Sequence, residues 1–198
     1  MNNKSSFGLR ALALAGLALI ASCSGASEEP PLKGATIGGP FTLTNQDGAK
    51  VSDTAFAGKY RLIYFGYSYC PDVCPVDLQK LMQGLKVIEK KDPALAGEIQ
   101  PIFISVDPTR DTPAVLKQYV SAFHPRLIGL TGSEAEVAAV AKEFAIYYKR
   151  GEDKGDGAYL VDHARQAMLF GPKGEPLALI PQEDSPQAIA AEIERWAT

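Results

Sequence analysis

Two cysteines directly follow an apolar run, and a proline follows the second cysteine. The run 61–67 (RLIYFGY) is short and rich in aromatic residues, which is typical of a buried central strand. After the motif Cys70-Pro-Asp-Val-Cys74-Pro75, apolar residues recur at helical spacing, at Leu78, Leu81, Met82, Leu85 and Ile88. Because Pro75 suits the first position of a helix, we expect Cys74 near the N-cap and Cys70 in the preceding loop.

The rest of the chain alternates further strands with further helices. The sequence predicts an N-terminal hairpin around Phe41–Gly48, a second buried strand at Gln100–Val106 and a short strand at Leu127–Leu130. Helix starts are predicted at Thr112-Pro113, at Ser133 with Glu136 as a capping box, and at Ser185-Pro186. A second hairpin is predicted from Ala167–Phe170 and Leu177–Ile180. This order predicts an α/β fold with a thioredoxin-like mixed sheet flanked by helices.

The cysteine motif allows several chemistries. The start of a helix lowers the pKa of a thiol, and a thiolate is both a metal ligand and a redox nucleophile. The redox signature of thioredoxins has two residues between its cysteines, whereas three separate Cys70 from Cys74. Two soft sulfurs suit Cu(I), and a nitrogen ligand would extend the site to Cu(II). A structural zinc site would need a fourth ligand. A permanent disulfide is the structural alternative.

A third ligand is predicted at His163, in the segment Leu160-Val-Asp-His163. The next strand is predicted to begin near Gln166, and in a thioredoxin-like sheet the entry to that strand lies beside the cysteine loop. Thioredoxins carry a cis-proline there, but residues 151–170 contain no proline, which favours metal binding over peptide exchange. The other histidine, His124, is predicted to lie at the surface or to cap a helix end.

Acidic residues near these positions are candidates for supporting roles. Asp162 is a candidate acceptor that would orient His163. Asp72 either tunes the charge of the cysteine loop or is a solvated loop carboxylate. Asp107 either faces the site or caps the next turn, and Arg110 with Asp111 is predicted to brace that loop.

The N-terminus predicts export and a membrane anchor. Residues 1–22 contain a positive start and an apolar run too short to span a bilayer comfortably, and small residues precede Cys23. This segment resembles the lipobox of bacterial lipoproteins, in which the cysteine is lipidated; an ordinary cleaved signal or an uncleaved anchor are the alternatives. Residues 23–40 are rich in Gly, Pro, Ser and charge, which predicts a tether to a domain at 41–198. We therefore expect a lipid-anchored protein on the periplasmic side of a bacterial membrane.

Four segments resemble the Sco (SenC-type) family of copper-binding proteins: YFGYSYCPDVCP at 64–75, SVDPTRDTP at 105–113, FHPRLIGLTG at 123–132 and YLVDH at 159–163. The resemblance implies a thioredoxin-like fold and copper held by Cys70, Cys74 and His163. It also implies delivery of that copper to the CuA centre of cytochrome c oxidase subunit II. The segment Ala164-Arg165-Gln166 is more polar than in many relatives.

Two functions are compatible with these residues. The first is a copper metallochaperone without turnover chemistry, which takes copper from an upstream donor and gives it to oxidase subunit II. The second is a thiol-disulfide reductase, with Cys70 and Cys74 as its redox pair, that keeps the cysteines of a copper-receiving partner reduced. A peroxidase is disfavoured because no remote resolving cysteine is evident. The formal net charge of -3 gives no basic surface for nucleic acid.

Overall fold

A seven-stranded mixed sheet forms the centre of the fold in the computed structural model, which describes Met1, residues 28–155 and residues 157–197. The strands of the described residues are β1 (Thr42–Asn45), β2 (Lys50–Ser52), β3 (Tyr60–Gly66), β4 (Ile99–Ser105), β5 (Ile128–Thr131), β6 (Tyr148–Arg150), β7 (Val161–His163), β8 (Ala167–Phe170) and β9 (Pro176–Ile180). The helices are α1 (Val73–Lys91), α2 (Pro93–Glu98), α3 (Pro113–Ser121), α4 (Glu134–Glu143) and α5 (Pro186–Trp196), with a 3-10 turn at Asp53–Phe56.

The order of the large sheet is β2-β1-β5-β4-β3-β8-β9. Strand β4 pairs in parallel with both β3 and β5, and the other pairs are antiparallel. Both predicted hairpins, β1–β2 and β8–β9, are present, and the mixed α/β sheet is confirmed. The two central strands are apolar along nearly their whole length because helices cover both faces of the sheet.

The helices pack on opposite faces of the sheet. On one face, Tyr64 of β3 contacts Phe103 of β4, and Phe103 contacts Tyr119 of α3. On the other face, Phe65 packs against Phe144 at the end of α4. The alternation of Tyr64 and Phe65 follows from the two-residue period of a strand.

Helix α1 lies closely against α5. Gly84 permits this approach, because a Cβ at that position would lie 2.4 Å from Cγ2 of Ile189. The helix begins at Val73, with Asp72 at the N-cap, and not at Pro75 as predicted. Cys74 therefore lies inside the first turn, where proline at the third position is tolerated because the N–H groups of the first turn have no helical partner.

A small second sheet was not predicted. It pairs β6 with β7 in antiparallel register, with Tyr148 opposite His163. His163 thus ends a strand of its own, four residues before β8 begins at Ala167. Three-residue strands give too short a pattern to be detected from sequence alone.

The predicted signal sequence and Cys23 lie outside the described residues, apart from Met1. The described part of the predicted tether, residues 28–40, has no helix or strand but lies against the domain. Leu32 donates its backbone N–H to the carbonyl of Leu177 (3.0 Å), and Gly38 donates to the carbonyl of Glu143 (2.8 Å). Ile37 packs against the core. Within the described part of the chain, no helix is both long and apolar enough to cross a bilayer.

Candidate metal centre

The two cysteines occupy the loop between β3 and α1 and the first turn of that helix. Cys74 is fully buried, while Cys70 is half-buried. Cys70 donates its backbone N–H to the carbonyl of Tyr67 (3.3 Å), and the N–H of Cys74 donates to Sγ of Cys70 (3.4 Å). The N-terminal turn of α1 therefore supplies a donor to the sulfur that precedes it, as predicted from the helix start.

His163 is the residue that the tertiary structure brings to the cysteines. Its Nε2 lies 3.0 Å from Sγ of Cys74, although 89 residues separate them in the sequence. Its Nδ1 lies 2.8 Å from the carbonyl oxygen of Ala164. A carbonyl oxygen can only accept, so Nδ1 carries a proton, and Nε2 is the ring nitrogen that faces the sulfurs.

The three side chains offer donor atoms that all lie within 4.8 Å of one another: the Sγ atoms of Cys70 and Cys74 and one imidazole nitrogen of His163. Two sulfurs and an imidazole form a soft donor set that suits Cu(I), and the set contains no carboxylate. A structural zinc ion would require a fourth protein ligand. The arrangement therefore fits a soft ion with low coordination number.

The pKa values of the two thiols are shifted in opposite directions. Hydrogen bonds from the Cys74 and His163 side chains, and from the backbone N–H groups of Asp72 and Cys74, lower the pKa of Cys70 to about 3, against the effect of burial. The pKa of Cys74 is raised because its thiol donates to Cys70 and is buried. Cys70 is therefore the more acidic thiol of the pair.

Aromatic rings enclose the imidazole. The rings of Tyr64 and Tyr67 meet His163 edge-on, with centroid distances of 6.5 and 5.8 Å and interplanar angles of 85° and 88°. The hydroxyl of Tyr67 also accepts a hydrogen bond from the N–H of Val161 (3.2 Å). Tyr67 therefore connects the cysteine loop to β7, a role that no sequence pattern indicated.

Asp111 braces the cysteine loop, whereas the sequence predicted that it would brace its own loop after Asp107. It is buried and accepts from the backbone N–H of Ser68 (3.0 Å), from the hydroxyl of Ser68 and from the hydroxyl of Ser105 (2.5 Å). Burial raises the pKa of Asp111, while these donors lower it. The carboxylate thereby links the end of β4 to the residues that precede Cys70.

Asp107 and Arg110 hold the segment before β7 instead of facing the metal centre. Asp107 accepts from the hydroxyl of Tyr159 (2.7 Å) and from Nε of Arg110 (2.5 Å). Arg110 also donates to the carbonyl of Tyr159 (2.9 Å), and its guanidinium lies 3.6 Å from the centroid of the Tyr159 ring. The pair accordingly positions Tyr159, four residues before His163.

Two acidic residues beside the ligands lie at the surface. Asp162 is exposed, and the Ala164 carbonyl is the acceptor beside Nδ1 of His163, so the predicted Asp162 acceptor is wrong. The strand alternation that turns His163 inward turns Asp162 outward. Asp72 is exposed at the N-cap and makes no side-chain capping bond, which fits a solvated loop carboxylate.

His124 is buried and is not a surface residue. Its Nδ1 accepts from the backbone N–H of Arg126 (3.2 Å), and its Nε2 lies 3.4 Å from a carboxylate oxygen of Glu89. Burial lowers the pKa of His124, and the hydrogen bond to Glu89 partly opposes that effect. Its role is structural.

Comparisons with known proteins agree with this geometry. The SCO1/SenC family model matches residues 29–198. The mitochondrial SCO1 homolog of Homo sapiens is 42% identical over 157 residues, which are 79% of this chain and 52% of that protein. The chain spans about half the length of the first curated relatives that it matches.

Solved structures show the same fold. Bradyrhizobium japonicum ScoI with copper bound is 42% identical with a TM-score of 0.73, covering 81% of this chain and 99% of that one. BsSco is described as a member of the Sco family of cytochrome c oxidase assembly proteins with a disulfide switch. It is 26% identical with a TM-score of 0.64, covering 86% and 97%. The predicted thioredoxin-like fold is thereby confirmed. With a family model that matches nearly the whole described chain and relatives at about 40% identity, the chain belongs to the SCO1/SenC family.

Proposed function

We propose that the chain is a copper metallochaperone that holds one copper ion through Cys70, Cys74 and His163 and delivers it to the CuA centre of cytochrome c oxidase subunit II. The observation that carries this proposal is the convergence of two thiol sulfurs and an imidazole within 4.8 Å, from segments 89 residues apart. Copper-bound ScoI and the oxidase assembly protein BsSco support the choice of metal and of recipient.

Copper binding would depend on which ligand atoms carry a proton. Cys70 is ready as a thiolate, whereas Cys74 must lose its proton to become a ligand. Capture of Cu(I) by both sulfurs therefore requires loss of the Cys74 proton. Nε2 of His163 already faces the sulfurs.

Release of copper requires a partner to approach the centre. Four large apolar or aromatic side chains near the ligands are about half exposed or more: Tyr69 (52%), Val76 (51%), Tyr147 (63%) and Leu160 (50%). Tyr69 and Val76 flank the cysteines, Leu160 lies three residues before His163, and the Tyr147 carbonyl accepts from the N–H of Ala164 (2.8 Å). Such a rim fits docking of a recipient whose thiolates replace the ligands one at a time.

The test is oxidase activity and CuA content in a deletion strain that carries each variant. A chaperone requires Cys70, Cys74 and His163, so His163→Ala should fail as Cys74→Ser does. The matched control is His124→Asn, which changes the other histidine. Full CuA content with His163→Ala would contradict copper delivery through this site.

The second candidate is a thiol-disulfide reductase, and the acidity of Cys70 beside the Cys74 thiol favours it. The Cys70 thiolate would attack a disulfide of the partner, and Cys74 would then attack the mixed disulfide. One turnover leaves a Cys70–Cys74 disulfide and two reduced partner sulfurs, which take up the Cys74 proton and a second proton from water. This activity needs both cysteines but tolerates loss of His163, so the same complementation separates the two functions.

The localisation that we propose is a lipid-anchored protein on the periplasmic side of a bacterial membrane. Residues 1–22 would be the signal, Cys23 the lipidated residue, and 23–40 the link to the domain at 41–198. The lipobox-like sequence carries this proposal. The relatives do not specify the compartment, because they include mitochondrial proteins. Palmitate labelling of the wild type, with none on Cys23→Ala, is the expected result; equal labelling of both would contradict it.

A further inference from the structure

An ion pair beside the metal centre joins the two segments that carry the candidate ligands. Asp77 lies one turn after Cys74 on α1 and is only 1% exposed. Its Oδ2 accepts from Nε of Arg165 (3.0 Å), and its Oδ1 accepts from Nη2 of the same guanidinium (2.8 Å). Arg165 follows His163 by two residues. A bidentate pair of this kind fixes orientation as well as distance.

Asp77 also holds one of the rings that contact the imidazole. The hydroxyl of Tyr64 donates to Oδ2 of Asp77 (2.9 Å), and the ring of Tyr64 meets His163 edge-on. Tyr64 is itself fully buried on β3. The Asp77 carboxylate therefore contacts both Arg165, which follows His163 in the chain, and Tyr64, which packs against the His163 ring.

A second acidic residue holds Arg165 from the other side. Nη1 of Arg165 lies 2.6 Å from Oε1 of Glu183, in the turn before α5. The backbone carbonyl of Glu183 accepts in turn from the Lys80 ammonium group of α1. The side chain of Arg165 is thus fixed between α1 and the start of α5, both of which belong to the packed body of the domain.

We propose that Asp77 and Arg165 are positioning residues of the metal centre. Their ion pair anchors the chain just after His163 to the helix that carries Cys74, and so holds Nε2 near the sulfurs before the metal arrives. This inference rests on the proposed copper binding. A ligand on an unanchored segment would lose conformational freedom on capture, which weakens binding; a segment that is already fixed avoids that loss.

The main test is Cu(I) affinity, measured by competition with a chromophoric Cu(I) chelator. Arg165→Ala should lower the affinity about 10- to 100-fold, the range typical of residues that orient metal ligands. Arg165→Lys should recover part of it, because lysine keeps the charge but not the bidentate geometry. The matched control is Arg195→Ala, which removes another arginine–carboxylate pair, with Glu28, and should leave the affinity unchanged. Wild-type affinity in Arg165→Ala would overturn the proposal.

A double-mutant cycle tells positioning from general stabilisation. If Arg165 acts through His163, then adding Arg165→Ala to His163→Ala should change Cu(I) affinity by less than about twofold. An equal loss from Arg165→Ala in both backgrounds would overturn the proposal, because it would mean that Arg165 acts on the fold or on the cysteines.

Removal of Arg165 alone leaves the buried Asp77 carboxylate without its cation, so that variant can fail to fold. The double variant Asp77→Asn with Arg165→Gln removes both charges, which avoids an uncompensated buried charge and keeps an acceptor for Tyr64. We expect the same loss of Cu(I) affinity from it. Wild-type affinity in this variant would overturn the positioning role, whereas absence of Cu(I) binding by the wild type would refute the proposed function itself.

Discussion

The two halves of the metal centre are held in different ways. Cys70 and Cys74 share one loop and one helical turn, and backbone hydrogen bonds within a few residues set their positions. His163 ends a three-residue strand outside the main sheet, and its ring packs against those of Tyr64 and Tyr67. Two residues later, Arg165 pairs with Asp77 of α1. The cysteine half is therefore encoded mainly by neighbouring residues, with Asp111 as a distant brace, whereas the histidine half depends on distant residues. Substitutions at these distant residues can therefore change the position of His163 without changing the positions of Cys70 and Cys74.

The largest expected effect is on the cysteine half. Cys70→Ser or Cys74→Ser should abolish stoichiometric Cu(I) binding, because a single sulfur with an imidazole is a poor site for this soft ion. Chelator competition on the reduced protein measures the effect, and His124→Asn is the control. Near wild-type affinity in either serine variant would show that the shared loop is not the centre of the site.

A smaller loss of Cu(I) affinity is expected when the histidine ligand is removed. His163→Ala leaves both thiols in place, so Cu(I) should still bind, at least about tenfold more weakly, or about 1.4 kcal/mol. The sulfur-to-Cu(II) charge-transfer absorption of the oxidised complex should also change, since the nitrogen ligand is lost. Identical spectra and affinities for variant and wild type would break the comparison, because the centre would then consist of the cysteines alone.

The distant brace of the cysteine loop, Asp111, can be tested through stability. Asp111→Ala leaves the donors of Ser68 and Ser105 without their acceptor, and we expect the free energy of unfolding to fall by about 1–3 kcal/mol. Denaturant unfolding of the metal-free, reduced protein measures it. Thr109→Ala, whose hydroxyl makes an exposed hydrogen bond to Glu134, is the control and should change stability much less. A neutral result for Asp111→Ala would show that the loop holds its shape without this carboxylate.

The smallest expected effect separates the two histidines. The folded-state pKa of His124 lies below its ordinary value of 6.5, mainly because of burial, so the unfolded chain binds a proton that the folded chain does not. The contribution of His124 to stability is therefore complete above about pH 6.5 and decreases as the pH falls below it, by at most about 1.4 kcal/mol per pH unit. The lowered pKa of Cys70 adds a separate rise of stability with pH over the same range.

His124→Asn should flatten this slope for the metal-free protein, since asparagine offers an acceptor to the N–H of Arg126 without titrating in this range. His163→Ala leaves His124 in place and should keep the part of the slope that His124 contributes. Denaturant unfolding between pH 5 and about pH 8 measures both, and an unchanged slope in His124→Asn would assign the pH dependence to other groups.

Local patterns were sufficient for much of the fold. The capping box at Ser133 and Glu136 and the N-caps at Thr112 and Ser185 are present where predicted, because these signals act within one helical turn. The prediction starts α1 two residues late, because it gives the proline of the first turn the first helical position. The small sheet was missed because its strands have three residues each.

The outer parts of the site were harder to predict. Asp162 was chosen because it adjoins His163, but strand alternation turns neighbouring side chains to opposite faces. Asp77 carried a usable signal: it lies among buried positions of an amphipathic helix, where a carboxylate requires a cation. Nothing in the sequence identified that cation as Arg165, 88 residues away.

By itself, the sequence determined the family, the order of strands and helices and the chemistry of the cysteine pair, because each of these depends on residues that are close in the chain. Only the tertiary structure decided which distant groups meet. It brought His163 to Cys74, joined Arg165 to Asp77 and directed Asp107 to Tyr159. The physical reason is that a side chain's partners across 50 to about 90 residues depend on strand register and helix packing, which are set by burial of the whole core.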